Sequence, residues 1–309
     1  MRSLRTEEVI GVLAALGTTL CYGITPVFLR YFTDYLDVWT VNGIRYTVGA
    51  LFWLPFVIFL VGKGKKGPSP ENLSRNVWKD ARIPALVNLG GQVLWGLSPY
   101  YLEASVIGFV YKLHFLATLL FGFLLIPEER ILGRQPAFLL GCFLSLAGVV
   151  SIFLHDLAHA GKQPVLGLIL CVGATGLFGL YTVSVRLYMK DYPARLSFGV
   201  ISLYTAVALL FLMFLFGDMS RISAMHSGLW GMLVLSALLG VALAHVMYYR
   251  AIHGLGAIIS TGLLMATPFV TLSGAWLGLG ERIMLLQFAG GATIILGGIL
   301  LILARTQQI

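Results

Sequence analysis

The chain consists of long apolar runs separated by short polar segments. Ten runs lie at about 8–30, 39–62, 82–102, 105–126, 134–154, 164–187, 195–216, 228–250, 255–279 and 283–304. Most of them approach the ~20 apolar residues that a helix needs to cross the hydrocarbon core of a bilayer. The pattern therefore predicts an all-α polytopic membrane protein with ten transmembrane helices.

The second half of the chain repeats features of the first. Glu129-Arg130 recurs as Glu281-Arg282. Residues of the first run recur 156 positions later: Gly11, Gly17, Thr19, Gly23, Val27 and Arg30 return as Gly167, Gly173, Thr175, Gly179, Val183 and Arg186. We therefore predict two five-helix domains, residues 1–157 and 158–309. Because five is odd, the second repeat enters the membrane from the opposite side, and such inverted repeats are typical of secondary transporters.

Composition and charge agree with a membrane protein. The chain is 58% hydrophobic and only 11% charged, whereas a soluble domain carries roughly 25% charged residues. Most of the 21 lysines and arginines lie in segments on the same side as the N-terminus, which places both termini in the cytoplasm and favours the plasma (inner) membrane. The net charge of +8 is spread over short loops, so we expect a lipid bilayer and no nucleic acid as partner.

Several kinds of chemistry are not indicated by the sequence. Cys21, Cys142 and Cys171 lie inside apolar runs, and no Cys/His spacing typical of a metal site occurs. No Walker motif or Gly-rich phosphate loop is present, which argues against ATP-driven pumping. We therefore predict a protein that is not an enzyme, has no metal or cofactor, and is driven by a gradient or by exchange.

The run 105–126 carries two polar residues where a membrane helix is usually apolar, Lys112 and His114. A lysine near the middle of a membrane helix costs ~2.5–3.5 kcal/mol on insertion scales, so we expect Lys112 to face a cavity. Beside Phe115 it would clamp a carboxylate or another anion; pairing with Glu103 is the structural alternative. On an ideal helix His114 lies about 200° away from Lys112 and so on a different face, as a proton relay or as a hydrogen-bonded packing residue.

Further candidates for substrate binding lie on the first three helices. Asn88 and Gln92 are four residues apart and share a helix face, with Trp95 beside Gln92. Hydrogen bonding between helices is the alternative role for both amides. Arg45, about 9 Å inside the second helix by helical rise, binds an anion or locks onto helix-end carbonyls. Tyr22 lies in the first helix near a proline, Pro26, that frees a carbonyl toward a cavity.

Two other groups of residues are interpreted as structural. Glu129 and Glu281 sit where the fourth and ninth runs end, and we expect them to lock helix ends and loops. Glycines of the fifth and tenth runs allow close helix approach, either inside the scaffold or at the surface of a homodimer. These glycines are Gly141, Gly148, Gly290, Gly291, Gly297 and Gly298.

Motifs in both halves resemble the drug/metabolite transporter superfamily, and within it the EamA family of ten-helix exporters. The residues that carry the resemblance are Tyr22-Gly23 and Pro26 in the opening helix, Arg45, Pro268, and Leu279-Gly280-Glu281-Arg282 followed by Gln287 and Gly290. The first half departs from the family pattern at Pro127-Glu128-Glu129-Arg130, where Leu-Gly-Glu-Arg is typical, and at Lys112 and His114. The resemblance implies export of small metabolites such as amino acids through a central cavity, without ATP.

The leading hypothesis is therefore a secondary exporter of a small-molecule substrate, an amino acid or a related organic anion. An exchanger of phosphorylated or nucleotide-linked sugars is the first alternative, but it would favour more convergent cations than Lys112 and Arg45. A membrane scaffold without transport is the second, and the internal repeat argues against it.

Overall fold

A computed structural model of the protein describes residues 6–62, 76–102, 104–159, 164–271, 273 and 284–306, and no strand occurs among them. The first repeat contains α1 (Thr6–Phe32), α2 (Val38–Gly62), α3 (Val77–Asp80), α4 (Arg82–Leu97), α5 (Ala104–Tyr111), α6 (Leu113–Leu125) and α7 (Pro136–His159). The second contains α8 (Val165–Met189), α9 (Ala194–Phe216), α10 (Met219–Ser223), α11 (Ser227–Ala237), α12 (Ala244–Leu255), α13 (Ala257–Leu263) and α14 (Leu285–Thr306).

Four tighter or wider turns interrupt or join these helices. Three of them are 3₁₀ turns, at Ser98–Tyr100, Pro127–Arg134 and Leu264–Ala266. The fourth is a π-helical segment, Leu238–Leu243, which joins α11 to α12 without a break in the chain of helical residues. Below, the lower face is the one at which α1 begins, and the upper face is the one at which α1 ends.

All ten apolar runs coincide with helices in the described residues, but not all of those helices are long. Seven helices or helix series are long and apolar enough to cross a membrane, and a bent pair, Phe109–Leu125 with Pro127–Arg134, adds at most one more. The third and ninth runs form the shorter Arg82–Leu97 and Ala257–Thr271. The protein is therefore an all-helical integral membrane protein, and ten complete crossings remain a prediction.

The outside of the bundle is apolar. Large hydrophobic side chains on several helices are more than half exposed, among them Leu13, Leu86, Phe143, Phe211 and Leu285. Exposed apolar patches of this extent are not found on soluble monomers, and here acyl chains of the bilayer can cover them.

Corresponding helices of the two repeats pack against each other in opposite directions. Gly43 at the upper end of α2 contacts Met213 near the end of α9, whereas Gly199 near the start of α9 contacts Val57. From the upper face to the lower face, residue numbers thus increase along α2 and decrease along α9. Two equivalent helices run antiparallel only if their repeats are inverted, so the packing shows the inversion that the odd helix number predicts.

A glycine seam between α7 and α14 repeats this relation. A Cβ atom added to Gly148 would lie 2.5 Å from the carbonyl oxygen of Gly290, and one added to Gly141 would lie 2.9 Å from that of Gly297. In the repeat, Gly141 corresponds to Gly290 and Gly148 corresponds to Gly297. The contact of Gly148 with Gly290 and the contact of Gly141 with Gly297 are therefore equivalent, each being the copy of the other in the opposite repeat. The glycines thus bring two backbones together inside one chain, as small residues do in membrane helices.

We expect Gly148→Ala to reduce the free energy of unfolding by about 1–3 kcal/mol, because the added methyl overpacks the seam. The melting temperature of the detergent-solubilised protein should fall accordingly. Gly176→Ala on α8 is the matched control, since a Cβ atom there meets nothing within 4 Å. That control should retain or gain stability, because alanine is the better helix former. A melting temperature for Gly148→Ala equal to that of the control would contradict the seam.

Candidate functional site

A cavity of about 410 Å³ lies between the two repeats. Its wall is formed by α1, α2, α4, α5, α6 and α7 of the first repeat and by α8, the π-helical segment, α12, α13 and α14 of the second. The volume falls within the range of about 300–1,000 Å³ that is usual for small-molecule sites. The cavity is therefore large enough to hold one small metabolite.

The cavity extends further toward the upper face than toward the lower one. Leu29 near the end of α1, Phe153 near the end of α7 and Gln287 near the start of α14 belong to its lining. Its lower limit is formed by four residues that we call the floor: Tyr181, Thr182, Tyr248 and Thr261. The hydroxyl group of Tyr181 is in direct contact with that of Tyr249, which lies outside the lining.

The predicted fourth helix is broken at Lys112. The amide of Lys112 donates to Phe109 O (2.9 Å) and the amide of Phe115 donates to Lys112 O (3.1 Å), so the chain takes a tight turn between α5 and α6. Lys112 and His114 nevertheless line the same cavity, together with Tyr111 and Phe115, so the cavity contacts a wide arc of this segment and the expectation that their faces are separated is wrong. The repeat spacing that relates Glu129 to Glu281 relates Lys112 to Leu264, the start of a 3₁₀ turn. In both repeats a helix is therefore tightened by a short turn beside the cavity.

Lys112 is a buried cation without a described partner. Its side chain is only 9% exposed, and no described residue forms an ion pair or hydrogen bond with its ammonium group. Nζ lies 5.5 Å from the centroid of the Tyr111 ring. Glu103, the alternative partner, lies outside the described residues. An ammonium group in such a place is costly unless an anion approaches it, so Lys112 is available to a ligand.

Three rings next to Lys112 form what we call the aromatic wall: Trp95, Tyr111 and Phe178. The ring centroids of Trp95 and Tyr111 are 4.5 Å apart, and Phe178 packs edge-on against Tyr111 at 5.9 Å. Phe115, also in the lining, is 1% exposed. Rings at these separations stabilise one another and present an apolar surface to a ligand.

Arg45 lines the cavity from α2, with one edge of its guanidinium already engaged. Its Nε donates to Ser236 Oγ (3.1 Å) and its Nη2 to Ser236 O (3.4 Å), a carbonyl near the end of α11. Gly240, in the π-helical segment, gives it room, because a Cβ atom there would lie 2.8 Å from Nη2. The guanidinium thus ties α2 to α11 while remaining part of the cavity wall.

His114 begins a chain of polar contacts that continues through the floor. Its Nε2 lies 3.1 Å from Thr182 Oγ1, which lies 3.0 Å from the Tyr248 hydroxyl, which in turn lies 2.7 Å from Thr261 Oγ1. The chain connects α6, α8, α12 and α13. Sequence reasoning did not single out Thr182 or Thr261 as site residues; the only signal was a hydroxyl in each of two apolar helices.

The remaining candidates divide between the cavity and the helix interfaces. Tyr22 and Gln92 line the cavity, as does His245. Asn88 does not belong to the lining. Its Nδ2 donates to Tyr46 (3.3 Å) and Thr205 (3.2 Å), which is the interhelical role left open for it. Binding of substrate by any of these residues stays a prediction.

Glu129 lies at the lower face, beneath the floor. Its carboxylate accepts hydrogen bonds from the amides of Ala257 (2.7 Å) and Ile258 (3.0 Å), the first two residues of α13. A negative group is favourable there, because the free amides of a helix start carry partial positive charge. Gly256, with φ of 89°, makes the turn that aims these amides at the carboxylate. Glu281 lies outside the described residues.

Glu129→Ala should lower the melting temperature of the protein by an amount equivalent to about 1–3 kcal/mol, because two buried amides lose their acceptor. Glu129→Gln should retain part of the stability, since its amide oxygen can still accept one bond. Glu128→Ala changes the exposed neighbouring carboxylate and serves as the control. Thermal unfolding in detergent measures all three, and equal melting temperatures for Glu129→Ala and Glu128→Ala would exclude the capping role.

Comparison with known proteins agrees with this architecture. A solved crystal structure superposes with a TM-score of 0.73 at 18% identity, covering 99% of this chain and 99% of its own; at that identity the likeness concerns the fold alone. No curated protein matches the chain. The model of the EamA-like transporter family matches twice, at residues 9–154 and 165–304. The domain boundary at residues 157 and 158 stays a prediction. With both repeats matched over nearly the whole sequence, the chain belongs to the EamA-like transporter family of membrane transporters.

Proposed function

We propose that the protein is a secondary transporter that exports small metabolites, amino acids or related organic anions, by alternating access through the central cavity. The observation that supports this most directly is a buried Lys112, without a partner among the described residues, in the wall of a cavity formed by two inverted repeats. A cation held without a described partner is suited to a ligand that supplies the opposite charge.

The contacts around the cavity favour alternating access. At the lower face the cavity is closed by the floor, by the capping of α13 by Glu129, and by an ion pair between Arg250 and Glu7 at 2.6 Å. Toward the upper face the lining reaches the helix ends. Because the repeats are inverted, rocking one against the other converts a cavity open to one face into a cavity open to the other.

Membrane orientation and energy source are part of the same proposal. The excess of lysine and arginine in the loops assigned to the side of the N-terminus supports a cytoplasmic position for both termini in a plasma (inner) membrane. With that orientation the cavity described here faces outward. None of the described lining residues is acidic, which argues against coupling through a carboxylate. We propose exchange or a substrate gradient as the driving force, with His114 as the one candidate for a proton relay.

The other two hypotheses find less support. An exchanger of phosphorylated or nucleotide-linked sugars would use several free cations, whereas Lys112 and a partly engaged Arg45 are the cations of the described lining. A scaffold without transport has no use for a buried cavity with an unpaired charge. Whether the protein forms a homodimer is left to measurement.

Transport is tested by reconstituting the purified protein into liposomes and measuring exchange of radiolabelled amino acids, organic acids and sugar phosphates. Thr25→Trp places a large ring in the cavity and should reduce exchange at least tenfold. Thr293→Trp on α14 is the matched control, since both threonines bond the carbonyl four residues earlier and Thr293 lies outside the lining. The proposed function would be overturned if the parent protein exchanged none of these solutes. It would also be overturned if Thr25→Trp exchanged them as fast as the control Thr293→Trp.

A further inference from the structure

We propose that the cavity selects a carboxylate with a single negative charge, a flat aromatic or apolar body and no ammonium group. This inference rests on the proposed function and narrows its substrate class. Zwitterionic amino acids and dianionic phosphate esters, both of which the sequence allowed as substrates, are then not the preferred ones.

The sign of the charge follows from the lining. Lys112 and Arg45 both face the cavity, and none of the described lining residues is acidic. A cationic ligand would bring a third positive charge into a site of low dielectric constant, where like charges repel more strongly than in water. An anion instead supplies the partner that buried charges require. The aromatic wall by itself would suit a cation, but the two positive side chains oppose one.

A single negative charge follows from the state of the two cations. Arg45 uses Nε and Nη2 on Ser236, so one edge of its donor fork is not free for a second anionic group. Lys112 has no such engagement among the described residues. A dianion needs two strong sites or a bidentate fork, whereas a monocarboxylate is satisfied by one ammonium group and nearby hydroxyls.

The absence of an ammonium group follows from the lack of a counter-charge for it in the described lining. An α-amino acid bound through its carboxylate at Lys112 would carry its own ammonium group within two bonds of that carboxylate. In the described lining no carboxylate lies ready to pair with this second cation. The ammonium group would therefore be desolvated beside Lys112 without a counter-charge.

The flat body follows from the rings around Lys112. Trp95, Tyr111 and Phe178 form one continuous surface, with neighbouring ring centroids 4.5–6.5 Å apart. Tyr22 adds a fourth ring to the lining and packs edge-on against Tyr248 at 6.4 Å. An aromatic ring of the ligand can lie among these rings in the offset or edge-on arrangements that aromatic pairs prefer.

Three compounds that differ by one group at a time test the charge: 3-phenylpropanoate, L-phenylalanine, which adds only the ammonium group, and 3-phenylpropanamide, which removes the charge. Phenyl phosphate tests the dianion. Binding is followed by thermal-shift titration in detergent, since ligands of the native state raise its melting temperature. We expect 3-phenylpropanoate to bind at least tenfold more tightly than each of the other three. Tighter or equal binding of L-phenylalanine or phenyl phosphate would overturn the inference.

Two variants connect the selectivity to the named residues. Lys112→Met should weaken binding of 3-phenylpropanoate about 10- to 100-fold, the range expected for loss of one hydrogen bond to a charged group, and should leave the amide unchanged. Lys190→Met, an exposed lysine at the end of α8, is the control and should bind like the parent. Equal loss for the carboxylate and the amide in Lys112→Met would overturn the charge argument.

Failure of the inference is distinguishable from failure of the proposed function. If liposomes exchange an amino acid or a sugar phosphate but not 3-phenylpropanoate, the cavity transports a different class and only the inference fails. If no labelled solute exchanges and none raises the melting temperature, both fail.

Discussion

Lys112→Met is expected to reduce substrate exchange at low substrate concentration by about 10- to 100-fold and, at the same time, to raise the melting temperature of the ligand-free protein. The two effects have one cause. Lys112 is only 9% exposed and its ammonium group has no partner among the described residues, so removing its charge relieves a desolvation cost in the empty protein. The same change removes the group that attracts the anion. Methionine is close to lysine in length and keeps the packing beside Tyr111.

Exchange kinetics in liposomes and thermal unfolding in detergent measure both effects on the same preparation. Lys190→Met removes an exposed lysine at the lower face and should change neither quantity. A variant that loses exchange together with stability would indicate a structural lysine. Full exchange by Lys112→Met would show that Lys112 does not take part in substrate binding.

Tyr248→Phe is expected to weaken the floor and shift the population toward states open to the lower face by about 5- to 30-fold. The hydroxyl of Tyr248 bridges Thr182 (3.0 Å) and Thr261 (2.7 Å), and so joins α8 to α13. Losing both bonds costs about 1–2 kcal/mol in the state that makes them, the lower part of the sum of two bonds worth about 0.5–1.5 kcal/mol each, because the hydroxyls of Thr182 and Thr261 keep bonds to carbonyls of their own helices. One or two kcal/mol corresponds to that change in population. Phenylalanine keeps the ring contact with Tyr22.

Hydrogen exchange of the α13 amides reports opening of the floor, and we expect these amides to exchange faster in Tyr248→Phe than in the parent. Tyr204→Phe is the matched control, because it removes a hydroxyl that donates to Trp78 O (3.2 Å) away from the cavity. Unchanged exchange in α13, or the same acceleration in Tyr204→Phe, would show that the Tyr248 bridge does not hold this face closed.

A site residue could be predicted from the sequence when its side chain has a high free-energy cost of insertion into the hydrocarbon core of a membrane. Lys112 was identifiable because a charged side chain at that depth is unfavourable in contact with lipid, which leaves a cavity as its environment. Arg45 was identifiable for the same reason, although its bond to Ser236 was not. Thr182 and Thr261 carry no such penalty, since a hydroxyl in a membrane helix can bond a carbonyl of its own helix, as both do here. Their place in the floor followed only from the packing of α8 against α12 and α13.

The break at Lys112 shows the limit of helical periodicity. An apolar run of twenty residues predicts a helix, and ideal helix geometry then places Lys112 and His114 on different faces. The chain takes a tight turn at Lys112, and the cavity contacts this segment over a wide arc that includes both side chains. Nothing in the residues around Lys112, which include neither proline nor an adjacent glycine, signals that turn.

The sequence by itself determined the class of the protein, its division into two repeats and their inversion, because apolar run length, composition and repeated positions reflect the thickness of the bilayer and the parity of the helices. The tertiary structure alone decided which helix faces line the cavity, that Asn88 bonds between helices, and that Thr182, Tyr248 and Thr261 are joined by hydrogen bonds at the lower end of the cavity. The physical reason is that lipid and protein interior are both apolar. A membrane helix is therefore hydrophobic on all sides, and its pattern does not distinguish the side facing lipid from the side facing the cavity.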